Sequence, residues 1–190
     1  MRTASATTLT GEELLALPDD GIEREIIRGE LRERPLTRRN PPHSRTTIRL
    51  GRFLDQWLDQ QPEPKGEFLG GDAAFRLRKD PETTVGVDVA YVSSAQSTAT
   101  PEDKALVEGP PVLAAEILSP SDTHEDVVEK LQLYLELGVA VVWILDPDLR
   151  TVTVHRPNAE PILFNASQEL TGDPELAGFR VRVADLFGRK

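Results

Sequence analysis

The chain has 190 residues, with 22 Lys and Arg against 32 Asp and Glu and a formal charge of −10, an acidic balance that argues against a general nucleic-acid coat protein. It has no cysteine, which removes disulfides, thiolate zinc sites and cysteine nucleophiles together and leaves carboxylates, hydroxyls and three histidines for any chemistry. The length suits one sizeable core in a single domain, 1–190, and the lack of a membrane-length apolar stretch or a signal-peptide h-region leads us to expect a soluble, cytoplasmic protein with no membrane partner.

In chain order, Thr10-Gly11-Glu12-Glu13 reads as a capping box opening a short helix that stops at Pro18. The stretch "REIIRGELRER" (24–34) reads as a hairpin turning at Arg28-Gly29. A Pro- and Arg-bearing loop follows to Pro42, and Pro41-Pro42 opens a helix in which Thr47, Leu50, Leu54, Trp57 and Leu58 recur at helical spacing. Strands are expected at 67–71, 73–78 and 85–92, with a turn at Asp80-Pro81, then a Ser/Thr/Pro loop (93–101) and a short charged helix at 102–108. The apolar run from Val112 to Leu118 reads as a strand, Ser119-Pro120-Ser121 breaks it and supplies the cap of a helix at about 122–137, and Gly138 stops that helix. "AVVWILD" (140–146) is a second buried strand, so 112–146 forms a strand–helix–strand crossover with parallel pairing. "TVTVHR" (151–156) and "FRVRVADLF" (179–187) read as edge strands. The expected class is α/β or α+β around a central mixed sheet flanked by helices, with an N-terminal helix and hairpin and a core of about 10–187.

Glu116 stands inside the apolar run, where an unpaired carboxylate costs about 2–7 kcal/mol. It shares a strand face with Ala114 and Leu118, and Asp88 in "VGVDVAYV" shares one with Gly86 and Ala90, so small neighbours leave room beside both carboxylates. On the following helix Val127, Leu131 and Tyr134 fall on one face with Lys130 at its margin. A lysine there is informative in a chain with 17 Arg and five Lys, because an ammonium is a compact point charge unlike the Arg fork. Asp88, Glu116 and Lys130 together suit phosphodiester hydrolysis: the acids hold Mg²⁺, with Mn²⁺ as a substitute, and the lysine orients or deprotonates a water or neutralises developing charge. The competing reading is a buried ion-pair network that only holds the sheet together, and spacing alone favours it.

The ordered set "EREIIRGEL", "VDVAYVS", "LAAEILSPS" and "EKLQLYLELGVAVVWILDPD" resembles the Uma family of restriction-endonuclease-like proteins, within the PD-(D/E)XK nuclease superfamily, over about Thr10 to Phe187. The resemblance implies a restriction-endonuclease-like core, metal-dependent cleavage of DNA, and Asp88, Glu116 and Lys130 in the D, E and K roles. Two positions depart from the superfamily motif. Val87 replaces the proline before Asp88, and Leu118 occupies the E-x-K position, so the lysine has moved to Lys130 on the helix. The family also carries acids in the early hairpin, matching Glu25 and Glu30, and Glu30 is preferred as the catalytic one because it follows the turn.

From Arg28 to Arg52 there are eight arginines against two glutamates. The simplest account is a solvated loop and helix face; the functional one sets Arg34, Arg38, Arg39 and Arg45 against DNA phosphates. His43 is expected at the surface or in packing, with phosphate contact the alternative, and His124 and His155 receive no role. Ser119 and Ser121 are read as capping residues, and Trp57, Trp143 and Tyr134 as core. The reading is a Mg²⁺-dependent endonuclease acting on DNA, and it leaves a homodimer open. A catalytically silent nuclease fold that binds nucleic acid or protein is the alternative. Hydrolysis of a small phosphorylated substrate is disfavoured because no Gly-rich phosphate loop is present.

Overall fold

A computed structural model describes residues 9–35, 40–101 and 104–188. Helix α1 (Gly11–Leu15) starts at the expected capping box, with Thr10 and Glu13 exchanging side-chain and backbone bonds. The hairpin of β1 (Ile22–Ile27) and β2 (Glu30–Pro35) turns at Arg28 and Gly29, whose φ angles of 51° and 83° are the two left-handed positions a two-residue turn with the strands' own twist requires. Helix α2 (Pro41–Leu58) is capped by Asn40, and its prolines stand in the first turn, where no N–H is needed.

The two strands expected at 67–78 are one, β3 (Glu67–Lys79), bent by a bulge between Gly70 and Ala73 and paired antiparallel with β4 (Glu82–Val92). The glycines let that strand bend without breaking. Two expectations fail in the next segment. The Ser/Thr/Pro stretch forms helix α3 (Ser94–Ala99), because Ser93 accepts from the Gln96 N–H as a cap. At the far end of the expected helix 102–108 the chain is extended, with β5 (Val107–Glu108) lying parallel to β3.

Strand β6 (Leu113–Ile117), helix α4 (His124–Glu136) and strand β7 (Val141–Asp146) form the crossover, with β6 and β7 parallel. The cap of α4 is Thr123 rather than Ser119 or Ser121: Thr123 and Asp126 close both halves of a reciprocal box, whereas Ser119, which also has an acid three residues on, gives its backbone N–H to Asp122 at 2.6 Å without opening the helix. Strand β8 (Thr151–His155) is not an edge: it lies between β7 and β9 (Ile162–Phe164). The segment 179–187 divides into β11 (Arg180–Arg182), paired with β10 (Glu169–Thr171) in a separate small sheet, and helix α5 (Val183–Phe187).

The principal sheet runs β2-β1-β4-β6-β7-β8-β9, with β3 beside β4 and β5 beside β3, and is mixed. One face packs Val89, Leu113, Ala115, Trp143 and Leu145 against α2, α5 and the small sheet; the other packs Val87, Ala90, Ala114 and Val142 with Leu133 and Tyr134 of α4. Strands covered on both sides lose the apolar/polar alternation. Against that background the acids of β4 and β6 stand out. Among the described residues no helix is long and apolar enough to cross a membrane.

Candidate active site

Strands β4 and β6 pair antiparallel with Val89 opposite Ala115 and Ala90 opposite Ala114. Continuing that register by one residue sets Asp88 against Glu116, on one face and within reach of each other. Asp88 is 6% exposed. Its Oδ2 accepts from the Ile117 backbone N–H at 2.9 Å and meets His43 Nε2 at 3.2 Å. Burial opposes ionisation of Asp88, but the bonds from His43 and Ile117 outweigh it and hold the pKa below the usual carboxylate range.

Glu116 behaves oppositely. Burial pushes its pKa up to about 8, against the pull of Lys130 and the Tyr134 hydrogen bond and with the help of the Asp88 and Glu25 charges. Tyr134 donates to Glu116 Oε1 at 2.5 Å, and its hydroxyl also lies 3.3 Å from the Gly86 carbonyl. Burial and the Glu116 charge raise the Tyr134 pKa well above its ordinary value, so the phenol remains a donor.

Lys130 reaches back over the sheet as its spacing suggested. Its Nζ lies 3.3 Å from Glu116 Oε1 and 3.4 Å from Glu25 Oε1. Burial by itself would lower the lysine pKa, but the Glu116 and Glu25 carboxylates raise it well above normal. The two carboxylates therefore favour the ammonium form of Lys130. Tyr134, one turn further along α4, places its ring centroid 5.9 Å from Nζ.

Of the two hairpin acids, the structure brings Glu25 and not Glu30 to this cluster. Strand β1 lies between β2 and β4, which buries Glu25, whereas β2 is an edge strand on which Glu30 faces solvent. Glu25 also accepts from the Gly86 N–H at 3.2 Å and lies 3.5 Å from Arg34 Nη2. Glu30 is exposed and pairs with Arg32 at 3.1 Å. Following the turn put Glu30 on the wrong strand.

A cavity of about 200 Å³ opens beside the cluster, lined by Asp88, Glu116, Lys130, Arg34 and Asp126 among polar groups and by Leu118, Leu131 and Ile144 among apolar ones. Both carboxylates thus share space enough for a hydrated ion, given about 30 Å³ per water. Among the described residues no three His, Cys, Asp or Glu side chains form a ready cage. The donor set fits a hard ion that keeps part of its water shell, as Mg²⁺ does, better than a softer one.

Arg34 lines the cavity; Arg45 is exposed on the first turns of α2; Arg38 and Arg39 lie outside the described residues. His124 is exposed at the start of α4 and His155 is half-buried in β8, away from the cluster. Trp143 is core, 5.5 Å from Phe179 between ring centroids, and Trp57 is partly buried beside Phe68 and Tyr91. Sequence reasoning missed the polar work of His43 and Tyr134. The signals were present: His43 extends the buried α2 stripe of Thr46, Leu50 and Leu54 back by one turn, and Tyr134 stands four residues after Lys130.

The chain shares its fold with a solved structure from Anabaena variabilis titled as "a putative nuclease belonging to DUF820", at a TM-score of 0.78 and 20% identity, covering 94% of this chain and 97% of that one. No curated protein matches it. Residues 12–184 match the Uma2 family, described as "Putative restriction endonuclease", and the span, which holds Glu25, Asp88, Glu116 and Lys130 together, makes the chain a member of that family.

Proposed function

We propose that the protein is a metal-dependent endonuclease that hydrolyses DNA phosphodiester bonds, with Asp88 and Glu116 as the metal-holding acids and Lys130 as the catalytic cation. The observation that carries the reading is the convergence on one open cavity of two carboxylates from adjacent strands and a largely buried ammonium from the crossover helix. Asp88 and Glu116 would hold a divalent ion, which when bound would supply positive charge against the phosphate and lower the pKa of a bound water. Lys130 holds a second positive charge at the cavity wall, aimed by Glu25 from one side and Glu116 from the other, and stabilises charge that develops on the substrate. The raised pKa of Lys130 supports the charge-stabilising role over proton abstraction. Tyr134 fixes the Glu116 carboxyl by donating its hydroxyl hydrogen, and Arg34 at the rim offers a fork suited to a phosphate.

The test is cleavage of plasmid and single-stranded DNA with Mg²⁺, with Mn²⁺, and with excess chelator, by wild type and Asp88→Asn. Nicking or linearisation that needs the ion and is lost in the variant supports the reading. Retention of DNA without any cleavage assigns the fold to a binding module instead.

A further inference from the structure

The proposed nuclease site uses Asp88, Glu116, Lys130 and Glu25, but a further polar side chain is buried against it without a role. His43 is 3% exposed in the first turn of α2. Its backbone is fastened on both sides: the N–H donates to Asn40 Oδ1 at 2.8 Å, and the carbonyl accepts from Thr47 Oγ1 at 3.0 Å. Its ring is committed to Asp88 through Nε2 at 3.2 Å. Among the described residues Nδ1 is buried with no hydrogen-bond partner.

The chemistry fixes the direction of the bond. Asp88 Oδ2 already accepts from the Ile117 N–H, so it stands as an acceptor and Nε2 carries the hydrogen of the second bond. In the neutral ring that leaves Nδ1 as a bare lone pair. An imidazole kept in a dry site with one nitrogen unmet is a poor choice for packing, which a leucine or phenylalanine fills without loss. The residue type makes sense through the bond it makes. Asp88 Oδ2 thereby joins three elements: its own strand β4, the Ile117 N–H of β6, and α2 through His43.

Resting on the metal-dependent reading of the site, we propose that His43 is a positioning residue. Its Nε2–H fixes the Asp88 carboxylate for ion binding and ties it to the first turn of α2, the helix that follows the Arg34–Arg39 segment in sequence. Partners of this kind behind a metal-holding carboxylate set its plane and its rotamer, and their loss typically weakens metal affinity 10–100-fold. The tie also makes any displacement of the α2 N-terminus felt at Asp88.

The experiment is Mn²⁺ calorimetry on wild type, His43→Phe, His43→Leu and His43→Gln, each first shown to keep a cooperative melting transition. The expected result is a loss of about 10–100-fold in affinity for Phe and Leu, with His43→Gln, whose amide can donate to Asp88, within a few-fold of wild type. Equal affinity of His43→Phe and wild type overturns the inference alone, and so does an equal loss in Gln and Phe, which assigns the effect to ring packing. A wild type that binds no Mn²⁺ overturns the metal-dependent reading and this inference with it. A variant-free measurement stands beside these. The imidazole ¹⁵N spectrum of the wild-type protein should show the Nε2–H tautomer, with the Nε2 signal moving in step with Mg²⁺ titration; a ring signal indifferent to Mg²⁺ counts against the tie.

Discussion

Two buried clusters in this fold set one cation among acids, and they are built differently. Arg76 on β3 donates from Nε to Glu82 at 2.9 Å, from Nη1 to Glu108 at 2.6 Å and from Nη2 to Glu12, which fastens α1 and β5 to the β3–β4 hairpin. Lys130 stands at 3.3 and 3.4 Å from Glu116 and Glu25, beside an open cavity. The guanidinium fork has a direction for each partner and is used up by them. The ammonium is held between its partners at looser distances, with its charge available to whatever enters the cavity. The Arg76 set is closed by its own partners and the Lys130 set is left open to the cavity, although the two share the same inventory of charges.

The largest effect is expected from breaking the scaffold cluster. Arg76→Met leaves Glu82, itself buried, without its cation, and stability to urea should fall by about 3–5 kcal/mol. Glu12 and Glu108 are more than half exposed and add little to that loss. Cleavage per folded molecule should be unchanged. A variant that unfolds normally but no longer cuts DNA would erase the distinction drawn between the clusters.

Lys130→Met should give the reverse pattern. Glu116, whose pKa stands at about 8, can keep its proton when its cation is gone, so the fold survives. The cleavage rate should drop about 10²–10³-fold, the size of losing one preorganised group that meets transition-state charge. Lys130→Arg should also cut poorly, since a planar fork does not fit between two carboxylates set for an ammonium. Wild-type cleavage by Lys130→Met would return the cluster to the ion-pair scaffold.

A pH series on the ion-free protein sharpens the same contrast. The folded pKa of Glu116, about 8, lies above its ordinary 4.5, so between those two values the folded chain keeps a proton that the unfolded chain has lost. Stability of the ion-free protein should therefore fall as pH rises through that window and level off above it. Asp88 acts in the opposite sense: its contribution is present above the ordinary 3.8 and is lost as pH falls through its lower folded value. Binding of Mn²⁺ near neutral pH must displace the Glu116 proton, so affinity should rise up to about pH 8 and the heat of binding should vary with the buffer's ionisation enthalpy. Glu116→Gln should abolish the buffer dependence. A buffer-independent heat in wild type would show that Glu116 is not a ligand.

The central sheet, the crossover and three side chains of the polar cluster are legible in the sequence because each leaves a local mark: apolar runs of strand length, a helix between them, and acids where no acid belongs. What was hidden depends on contacts distant in sequence. Whether Glu25 or Glu30 faces Lys130 follows from which hairpin strand is sandwiched between neighbours, and no periodicity within the hairpin says so. The bond from His43 to Asp88 joins residues 45 positions apart. Boundary errors had another origin. Ser119, Ser121 and Thr123 are all competent caps by type, Ser119 and Thr123 both have an acid three residues on, and only the Thr123–Asp126 pair closes the full box at the helix start. At 93–108 the sequence carries weak propensity for either state, and Ser93 capping α3 together with the β3–β5 pairing decides it.

The smallest effect concerns Arg34, the basic residue placed at the boundary between the site cluster and solvent. It lies 3.5 Å from Glu25 and lines the cavity, so one guanidinium is available both to a buried carboxylate and to an arriving phosphate. With its side chain about 39% exposed, its pairing with Glu25 is worth little to stability, and Arg34→Ala should change the urea midpoint only slightly. Binding is the sensitive readout. If Arg34 meets a phosphate, the slope of log affinity for DNA against log salt, measured on Asp88→Asn to prevent cutting, should flatten by about one released ion. Arg45→Ala provides the comparison, being exposed on α2 and absent from the cavity wall. A slope reduced by Arg45→Ala and not by Arg34→Ala would move the phosphate path from the cavity rim to the helix face and leave Arg34 as a partner of Glu25 alone.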